Sequence, residues 1–250
     1  MPRPLPPEIL DHVVNQLYDD STTLKTCCLV SKSWIRRTRK HLFATVSFDG
    51  LSSGVKYWMD AFPDLTNSPA HHTRTLSIRH PPLFGSFDTI LTFCNVERLE
   101  VIARSFLVEA ALTPLRGLFP VLRSLHLSFN SLFDSEIFGF ICSSPLLEDL
   151  AFAARGSVHR DGRWNVPPTS PRLSGSLKIE NAPNGIQSIT QRLLNLPNGI
   201  HFTKITAPWH SEEDVGSTMD LVSKCAETLQ SLDITNLRSG AIPSLSIPNI

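Results

Sequence analysis

The sequence lacks the features that mark secreted and membrane proteins. Nowhere in its 250 residues does an apolar run reach the roughly 18 residues of a membrane-spanning helix, and the proline-rich start up to Glu8 has no apolar segment suited to a signal peptide. Its five cysteines are scattered and never spaced as CxxC, which argues against a disulfide framework and a structural zinc site. We therefore expect reduced, mostly buried thiols, no membrane partner, and a cytoplasmic or nuclear location.

The chain also lacks an excess of charge of either sign. Its 23 lysines and arginines balance its 23 aspartates and glutamates, so no overall field attracts nucleic acid or anionic membranes. The basic run from Arg36 to Lys40 either contacts nucleic acid, serves as a nuclear-import signal, or is a solvated helix end. Because no aromatic stacking platform accompanies it, we favour the helix end and expect no nucleic-acid partner.

Motifs of catalysis and metal binding are missing as well. Neither GxSxG nor HExxH occurs, and His71-His72 has no third ligand at a metal-site spacing. His159-Arg160-Asp161 is similar to a kinase catalytic loop, but Val166 stands where that loop requires asparagine. We expect no enzymatic activity, no catalytic residue, no cofactor and no metal.

The first fifty residues carry the pattern of three short helices. The first is predicted to begin at Pro7 and carries an apolar stripe that includes Ile9, Leu10, Val13, Val14 and Leu17. Turn and cap residues at 19–22 precede a second helix with Leu24, and Ser31 is a candidate N-cap for a third helix with Trp34. About forty residues are near the lower size limit for independent stability, so this unit is expected to need a neighbour or partner.

These residues also carry a resemblance. Leu5-Pro6-Pro7-Glu8-Ile9-Leu10, followed by Leu17, Leu24 and Cys28-Leu29-Val30-Ser31-Lys32-Ser33-Trp34, resembles the F-box over residues 5 to about 44. The resemblance implies docking onto the Skp-family adaptor of an SCF-type cullin ubiquitin ligase. The implied adaptor-binding positions are Leu5, Pro6, Ile9, Leu10, Val13, Leu17, Leu24, Leu29, Val30, Ser31 and Trp34. For each of them, and for Val13, Leu24 and Trp34 in particular, packing within the three helices stays an equal alternative.

A short extended unit recurs from residue 74 onward, at intervals of 23 to 28 residues. Each unit has two apolar residues separated by one variable residue, at Leu76/Ile78, Leu99/Val101, Leu125/Leu127, Leu150/Phe152, Leu177/Ile179, Ile205/Ala207 and Leu232/Ile234. The period resembles that of leucine-rich repeats. Because only Leu122-x-x-Leu125-x-Leu127-x-x-Asn130 matches the full repeat signature, the form resembled is an irregular one.

Helical periodicity fills the segments between these units. One such segment includes Ile137 and Ile141, another Ile186 and Leu193, and a third is opened by Ser211–Asp214 with capping-box spacing and carries the stripe Val215, Met219, Val222, Cys225 and Leu229. Strands that alternate with helices at a fixed period predict a parallel sheet with the helices on its outer side. The predicted fold class is thus α/β, with a small helical F-box at 1–48 and an irregular leucine-rich-repeat-like solenoid with a parallel sheet at 49–250.

The two ends of the predicted solenoid differ. Residues 42–48 alternate with a period of two and predict a first strand, followed by a helix with Val55, Trp58, Met59 and Phe62. The tail through Pro243 to Pro248 has no evident polar cap, which solenoids generally need. We expect a truncated chain or a poorly ordered end after about residue 238.

The variable positions of the strands are expected to face away from the helices. As a candidate substrate face they include Ser77, Arg79, Glu100, His126, Ser128, Lys178, Glu180, Asp233 and Thr235. An equal alternative is that this strip is merely solvated sheet, and its composition does not identify a partner. The sequence thus favours a substrate-recruiting adaptor that binds an unidentified protein, with a repeat-based scaffold lacking any ubiquitin-ligase role as the alternative.

Overall fold

The computed structural model describes residues 6–49, 51–79, 90–103, 112–129, 132–154, 158–159, 169–180, 186–209, 211–236 and 245–248. Three helices come first: α1 (Pro7–Gln16), α2 (Ser21–Val30) and α3 (Lys32–Leu42). Four more follow along the chain: α4 (Leu51–Ala61), α5 (Asp134–Cys142), α6 (Ile186–Leu194) and α7 (Glu212–Lys224). Short 3-10 turns occupy Leu65–Asn67, Pro69–His72, Ile90–Thr92 and Thr113–Leu115.

The three predicted N-terminal helices are confirmed, and their starts follow the predicted chemistry in two of three cases. Pro7 occupies the first turn of α1, where its missing N–H costs no hydrogen bond. The Asp20 carboxylate caps α2 by accepting from the backbone N–H of Thr23 at 2.9 Å. Ser31 precedes α3 without a side-chain cap bond, and its hydroxyl oxygen lies 2.7 Å from that of Ser33.

The main feature of the fold after the three helices is a nine-stranded sheet. Its first eight strands are parallel and the ninth is antiparallel. In spatial order they are β1 (Thr45–Asp49), β2 (Thr75–Arg79), β3 (Arg98–Ala103), β4 (Ser124–Phe129), β6 (Asp149–Ala154), β8 (Ser176–Glu180), β9 (Lys204–Trp209), β10 (Ser231–Asn236) and β11 (Leu245–Pro248). A separate parallel pair joins β5 (Leu132–Phe133) to β7 (Val158–His159). The predicted α/β class and parallel sheet are confirmed.

The register places equivalent residues of successive units side by side. Leu76, Leu99, Leu125 and Leu150 are direct neighbours across β2, β3, β4 and β6. Both apolar residues of every predicted unit are buried, from Leu76/Ile78 to Leu232/Ile234. Because sheet side chains alternate between faces, these pairs bury one face of each of the seven strands that carry them, and all but Ala207 belong to a single core.

One backbone contact repeats where the strands start. A single carbonyl of one unit accepts both N–H groups that open the next strand, as when Ala44 accepts from Arg74 at 2.9 Å and from Thr75 at 3.0 Å. The same double contact recurs at the carbonyls of Arg74, Glu97, Arg123 and Thr203. A carbonyl oxygen has two lone pairs, so one atom fixes both donors and the step between units stays regular.

The step from β6 to β8 uses a side chain instead. The Asp149 carboxylate accepts from the backbone N–H of Ser176 at 2.6 Å and from its hydroxyl at 2.8 Å. Gly175 lies against this carboxylate, where an added Cβ would overlap it. Glycine therefore allows the close approach on which this contact depends.

An aromatic cluster joins the N-terminal helices to the sheet. The ring of Trp58 in α4 lies 5.7 Å from that of Phe43, 5.9 Å from Phe48, 4.9 Å from Phe62 and 5.2 Å from Phe93, between ring centroids. Phe43 follows α3 directly and Phe48 belongs to β1. Two of these contacts are edge-to-face and two are tilted, and aromatic pairs at such distances stabilise the junction beyond the burial of apolar area.

Two sequence-based boundaries are corrected. The first strand begins at Thr45 rather than at residue 42, because α3 continues through Leu42 and the Ala44 carbonyl is engaged by the start of β2. Leu245–Pro248 forms a further strand, β11, against β10, and no strand was predicted there. As the last strand in the order of the sheet, β11 tolerates Pro248 because an edge can dispense with one donor.

The capping box of α7 is confirmed, but its predicted buried face is wrong in part. The Ser211 hydroxyl accepts from the N–H of Asp214, and the Asp214 carboxylate accepts from the N–H of Ser211. Thr218 and Leu221 are fully buried, whereas Met219 is exposed. The predicted stripe was counted from apolar residues alone, whereas the buried face of α7 also includes small polar residues such as Thr218.

Candidate protein-interaction surfaces

The three N-terminal helices have a small core of their own. Leu10, Val14, Leu24 and Cys27 are buried and do not belong to the large cluster under the sheet. The Thr38 hydroxyl, fully buried in α3, donates to the Trp34 carbonyl at 2.9 Å and lies 2.8 Å from the Cys28 sulfur of α2. The unit is therefore held together by a small apolar core and by polar contacts between its helices, of which this one joins α2 to α3.

Several predicted adaptor-binding side chains remain outside this core. Ile9 is 50% exposed, Val13 39%, Leu29 87% and Val30 66%. Single exposed apolar residues are ordinary, but four in a unit of this size leave much apolar surface without a partner. These four side chains are called the exposed apolar set below.

The other predicted positions divide between core and surface. Leu10 and Leu24 belong to the helix core, which matches the packing alternative for them, while Leu17 and Trp34 are half-buried. Pro6 and Ser31 are exposed, and Leu5 lies outside the described residues. An apolar pattern marks core and interface residues alike, so the sequence could not separate them.

A groove between α1 and α3 was missed by the sequence analysis. It has a volume of about 650 Å³ and ends at His72 of the Pro69–His72 turn. Lys32, Arg36 and Lys40 of α3 line it on one side and Asp11 of α1 on the other. From the sequence alone, the basic run is interpreted as a solvated helix end. The groove forms because the Pro69–His72 turn, which follows later in the chain, packs against α3 and adds His72 to the lining.

The predicted substrate face forms a lateral row across the sheet. Ser77, Glu100, His126, Ala151, Lys178, Thr206 and Asp233 are successive neighbours in register. Arg79, Ser128 and Glu180 lie one residue pair further along their strands, and Thr235 lies in β10 with only its backbone described. The parallel register thus brings the predicted residues together in rows.

Neighbouring groups within this face bind one another. The Ser77 hydroxyl donates to Glu100 at 2.6 Å, and Nδ1 of His126 lies 3.4 Å from the same carboxylate. Lys204 pairs with Asp233 at 2.9 Å, and Lys178 pairs with Glu180. Ser77 is only 7% exposed, so a partner on the sheet face could scarcely contact it. Its hydroxyl orients the Glu100 carboxylate instead, which corrects its predicted place on the substrate face.

The order of these groups bears on chemistry. In a serine nucleophile the hydroxyl bonds to the imidazole, which takes its proton. Here the Glu100 carboxylate lies between Ser77 and His126, so the hydroxyl donates to the carboxylate and not to the imidazole. The arrangement therefore differs from that of a Ser–His pair.

The cysteines and histidines give no further centre within the described ranges. No group of three or more His, Cys, Asp or Glu side chains there is placed to hold a metal ion. Burial raises the pKa of Cys142 to about 11 and also raises that of Cys225. All five cysteines are free: Cys27 and Cys225 are buried, Cys28 and Cys142 are half-buried, and Cys94 is exposed.

The part of the chain that the structure describes has no helix both long enough and apolar enough to cross a membrane. Comparison with protein-family models, with curated proteins and with solved structures found no match.

Proposed function

We propose that the chain is a substrate-recruiting subunit of an SCF-type cullin ubiquitin ligase. The three N-terminal helices act as an F-box that binds a Skp-family adaptor, and the parallel sheet acts as an irregular leucine-rich-repeat solenoid that binds a protein substrate. The chain has no chemistry of its own in this proposal, and its partners transfer ubiquitin.

The observation that carries the proposal is the exposed apolar set at F-box positions. Ile9, Val13, Leu29 and Val30 are the motif positions that the helices leave uncovered, while Leu10 and Leu24 form their core. Burying one such aliphatic side chain contributes about 1.5–3 kcal/mol. A partner that covers all four would offset the marginal stability expected of so small a unit.

The junction with the sheet supports a role in presentation. Only Phe43 and Ala44 separate α3 from β1, and the Thr73 hydroxyl donates to the Phe43 carbonyl at 2.9 Å. The α3 helix also packs against the Pro69–His72 turn. A junction this short leaves little freedom between helices and sheet, as suits a ligase that presents a substrate at a set distance.

The row of polar groups on the sheet is the proposed substrate surface. Glu100, Lys178 and Asp233 carry charge of both signs in one lateral row of the sheet, and the His126 imidazole lies beside Glu100 in the same row. Their mutual contacts hold the side chains in place before any partner arrives, which lowers the entropic cost of binding.

The test is co-purification of the full chain with a Skp-family adaptor, using variants of exposed residues. Ile9→Asp and Leu29→Asp introduce a charge where apolar burial is proposed, and we expect each to abolish the complex. Tyr57→Asp in α4 and Met219→Asp in α7 are matched controls, since both side chains are exposed and neither residue belongs to the three helices. Thermal unfolding of each variant checks that the fold is kept.

Three outcomes decide the proposal. Loss of adaptor binding in the two α1 and α2 variants, with binding kept in both controls, supports it. No binding by the unaltered chain overturns the ligase assignment, and equal loss in the controls overturns the assigned surface. Ubiquitin transfer to a protein captured by the sheet then separates a ligase subunit from a scaffold without ligase role.

A further inference from the structure

The groove between α1 and α3 has the size of a small-molecule site. Its volume of about 650 Å³ falls within the range of about 300–1,000 Å³ found for ligand pockets. The buried Val14 lies at its base, and polar or charged side chains form its walls. The groove is therefore concave, polar and open to solvent.

Three cations of α3 line one wall of the groove. Lys32, Arg36 and Lys40 follow one another at four-residue intervals and so share one helix face. No described carboxylate forms an ion pair with any of the three, since Asp11 pairs with Arg37 instead. Like charges at this spacing destabilise a helix by a few tenths of a kcal/mol per pair, so the cluster costs stability in the free chain.

Further hydrogen-bonding groups face the same space. Nε2 of His41 lies 2.9 Å from Oδ1 of Asn15, and both residues line the groove together with His72. The first turn of α3 lies at the groove through Ser33, and Ser31 makes no side-chain cap bond there. Uncapped first-turn N–H groups and the positive helix end both favour an anion.

The residues that line the groove indicate which kind of anion would fit it. Cations one helical turn apart match a ligand with several charged groups better than a single small ion. Among the described residues no phenylalanine, tyrosine or tryptophan lines the groove, so a nucleobase would have only imidazole and guanidinium planes on which to stack. We propose that this groove binds a small molecule carrying two or more phosphate groups, such as an inositol polyphosphate.

The exposed apolar set does not overlap the groove on α1. Leu10 and Val14 form the buried stripe of this helix, with Ile9 and Val13 on one side of it and Asp11 and Asn15 on the other. A phosphate ligand and a protein on the exposed apolar set therefore contact α1 on opposite flanks. The inference does not depend on the ligase proposal.

The experiment is titration of the full chain with inositol hexakisphosphate by calorimetry at about 0.15 M salt, where exposed charges beyond about 8 Å are largely screened. We expect saturable binding of this ligand. Arg36→Gln and Lys40→Gln should each weaken the affinity about tenfold, because each removes one charged hydrogen bond worth about 1.4 kcal/mol. Lys25→Gln is the matched control, because Lys25 is exposed on α2 and does not line the groove. Its affinity is expected within about twofold of the unaltered chain.

Folding and ligand source are controlled separately. Removing one repelling charge should leave the thermal stability of the Arg36 and Lys40 variants unchanged or raised, so weaker binding does not reflect unfolding. Vesicles containing phosphatidylinositol bisphosphate compared with free headgroup distinguish a lipid source from a soluble one, and binding of either that depends on Arg36 and Lys40 supports the proposal. Absence of binding to all these probes, equal loss in Lys25→Gln, or equal affinity for an oligoglutamate peptide overturns it.

Discussion

The Ser77 hydroxyl in β2 donates a hydrogen bond of 2.6 Å to the Glu100 carboxylate in β3. Ser77 is nearly buried, whereas Glu100 is half-buried and also lies close to His126. This contact joins β2 to β3 within the row of polar side chains on the sheet face. It gives the proposed substrate surface a fixed geometry in the unbound chain.

Ser77→Ala is expected to lower the free energy of unfolding by about 1 kcal/mol, because a single hydrogen bond to a partly exposed carboxylate is lost. Chemical denaturation measures the change. Ser128→Ala in β4 is the control, since Ser128 is half-buried in the next row and should cost no more than about 0.5 kcal/mol. Equal costs for the two substitutions would contradict the importance of the Ser77 bond.

Leu24→Ala and Leu29→Ala should separate core from surface in α2. Leu24 is fully buried, so its truncation is expected to cost about 2–5 kcal/mol and to unfold the three helices first. Leu29 is almost fully exposed, and its truncation is expected to change stability by no more than about 0.5 kcal/mol. Far-ultraviolet circular dichroism during denaturation follows both, and a large loss in Leu29→Ala would show that the exposed apolar set is structural.

Stability is expected to fall as pH drops below about 6.5, the ordinary histidine pKa. Burial, followed by the charges of His71, Arg39, Lys40 and Arg36, lowers the pKa of His72 in the folded chain. As pH falls, His72 therefore gains its proton in the unfolded chain before it does so in the folded chain. The free energy of unfolding declines over this interval and stops declining once pH is below the lowered pKa of the folded chain.

His72→Gln tests this pH dependence. Burial and Lys40 also lower the pKa of His41, so the variant should retain part of the decline and lose the rest. Urea denaturation between about pH 5 and pH 7.5 covers the window set by the ordinary pKa. A decline as steep in His72→Gln as in the unaltered chain would assign the effect to other groups.

Alkylation should distinguish the cysteines by exposure and pKa. Cys94 is exposed and is expected to react with iodoacetamide fastest, whereas burial raises the pKa of Cys142 to about 11 and leaves little thiolate at neutral pH. Cys225 is buried, with its pKa also raised, and should react only on unfolding. Mass spectrometry after a short exposure measures the order, which rapid labelling of Cys225 would contradict.

Patterns within one element predicted their elements well. The stripe from Ile9 to Leu17 predicted α1, and Ser211 with Asp214 predicted the start of α7, because caps and periodicity depend on residues a few positions apart. The recurrence of pairs such as Leu125/Leu127 predicted the strands and their common buried face. The orientation of α7 was missed, since its buried face includes the polar residues Ser217 and Thr218, which a stripe of apolar residues does not count.

The sequence by itself determined the parallel sheet, because a repeated apolar pair at a regular interval can bury its side chains only against its own neighbours. It also determined the division into a helical start and a repeating remainder. Only the tertiary structure decided which apolar residues of the helices are core and which are exposed, as for Leu24 and Leu29. It alone formed the groove, since His72 and Lys40 are distant in sequence and meet only when the chain returns to α3. Local periodicity reports the face of a helix, but concave sites arise from contacts between segments that no local pattern encodes.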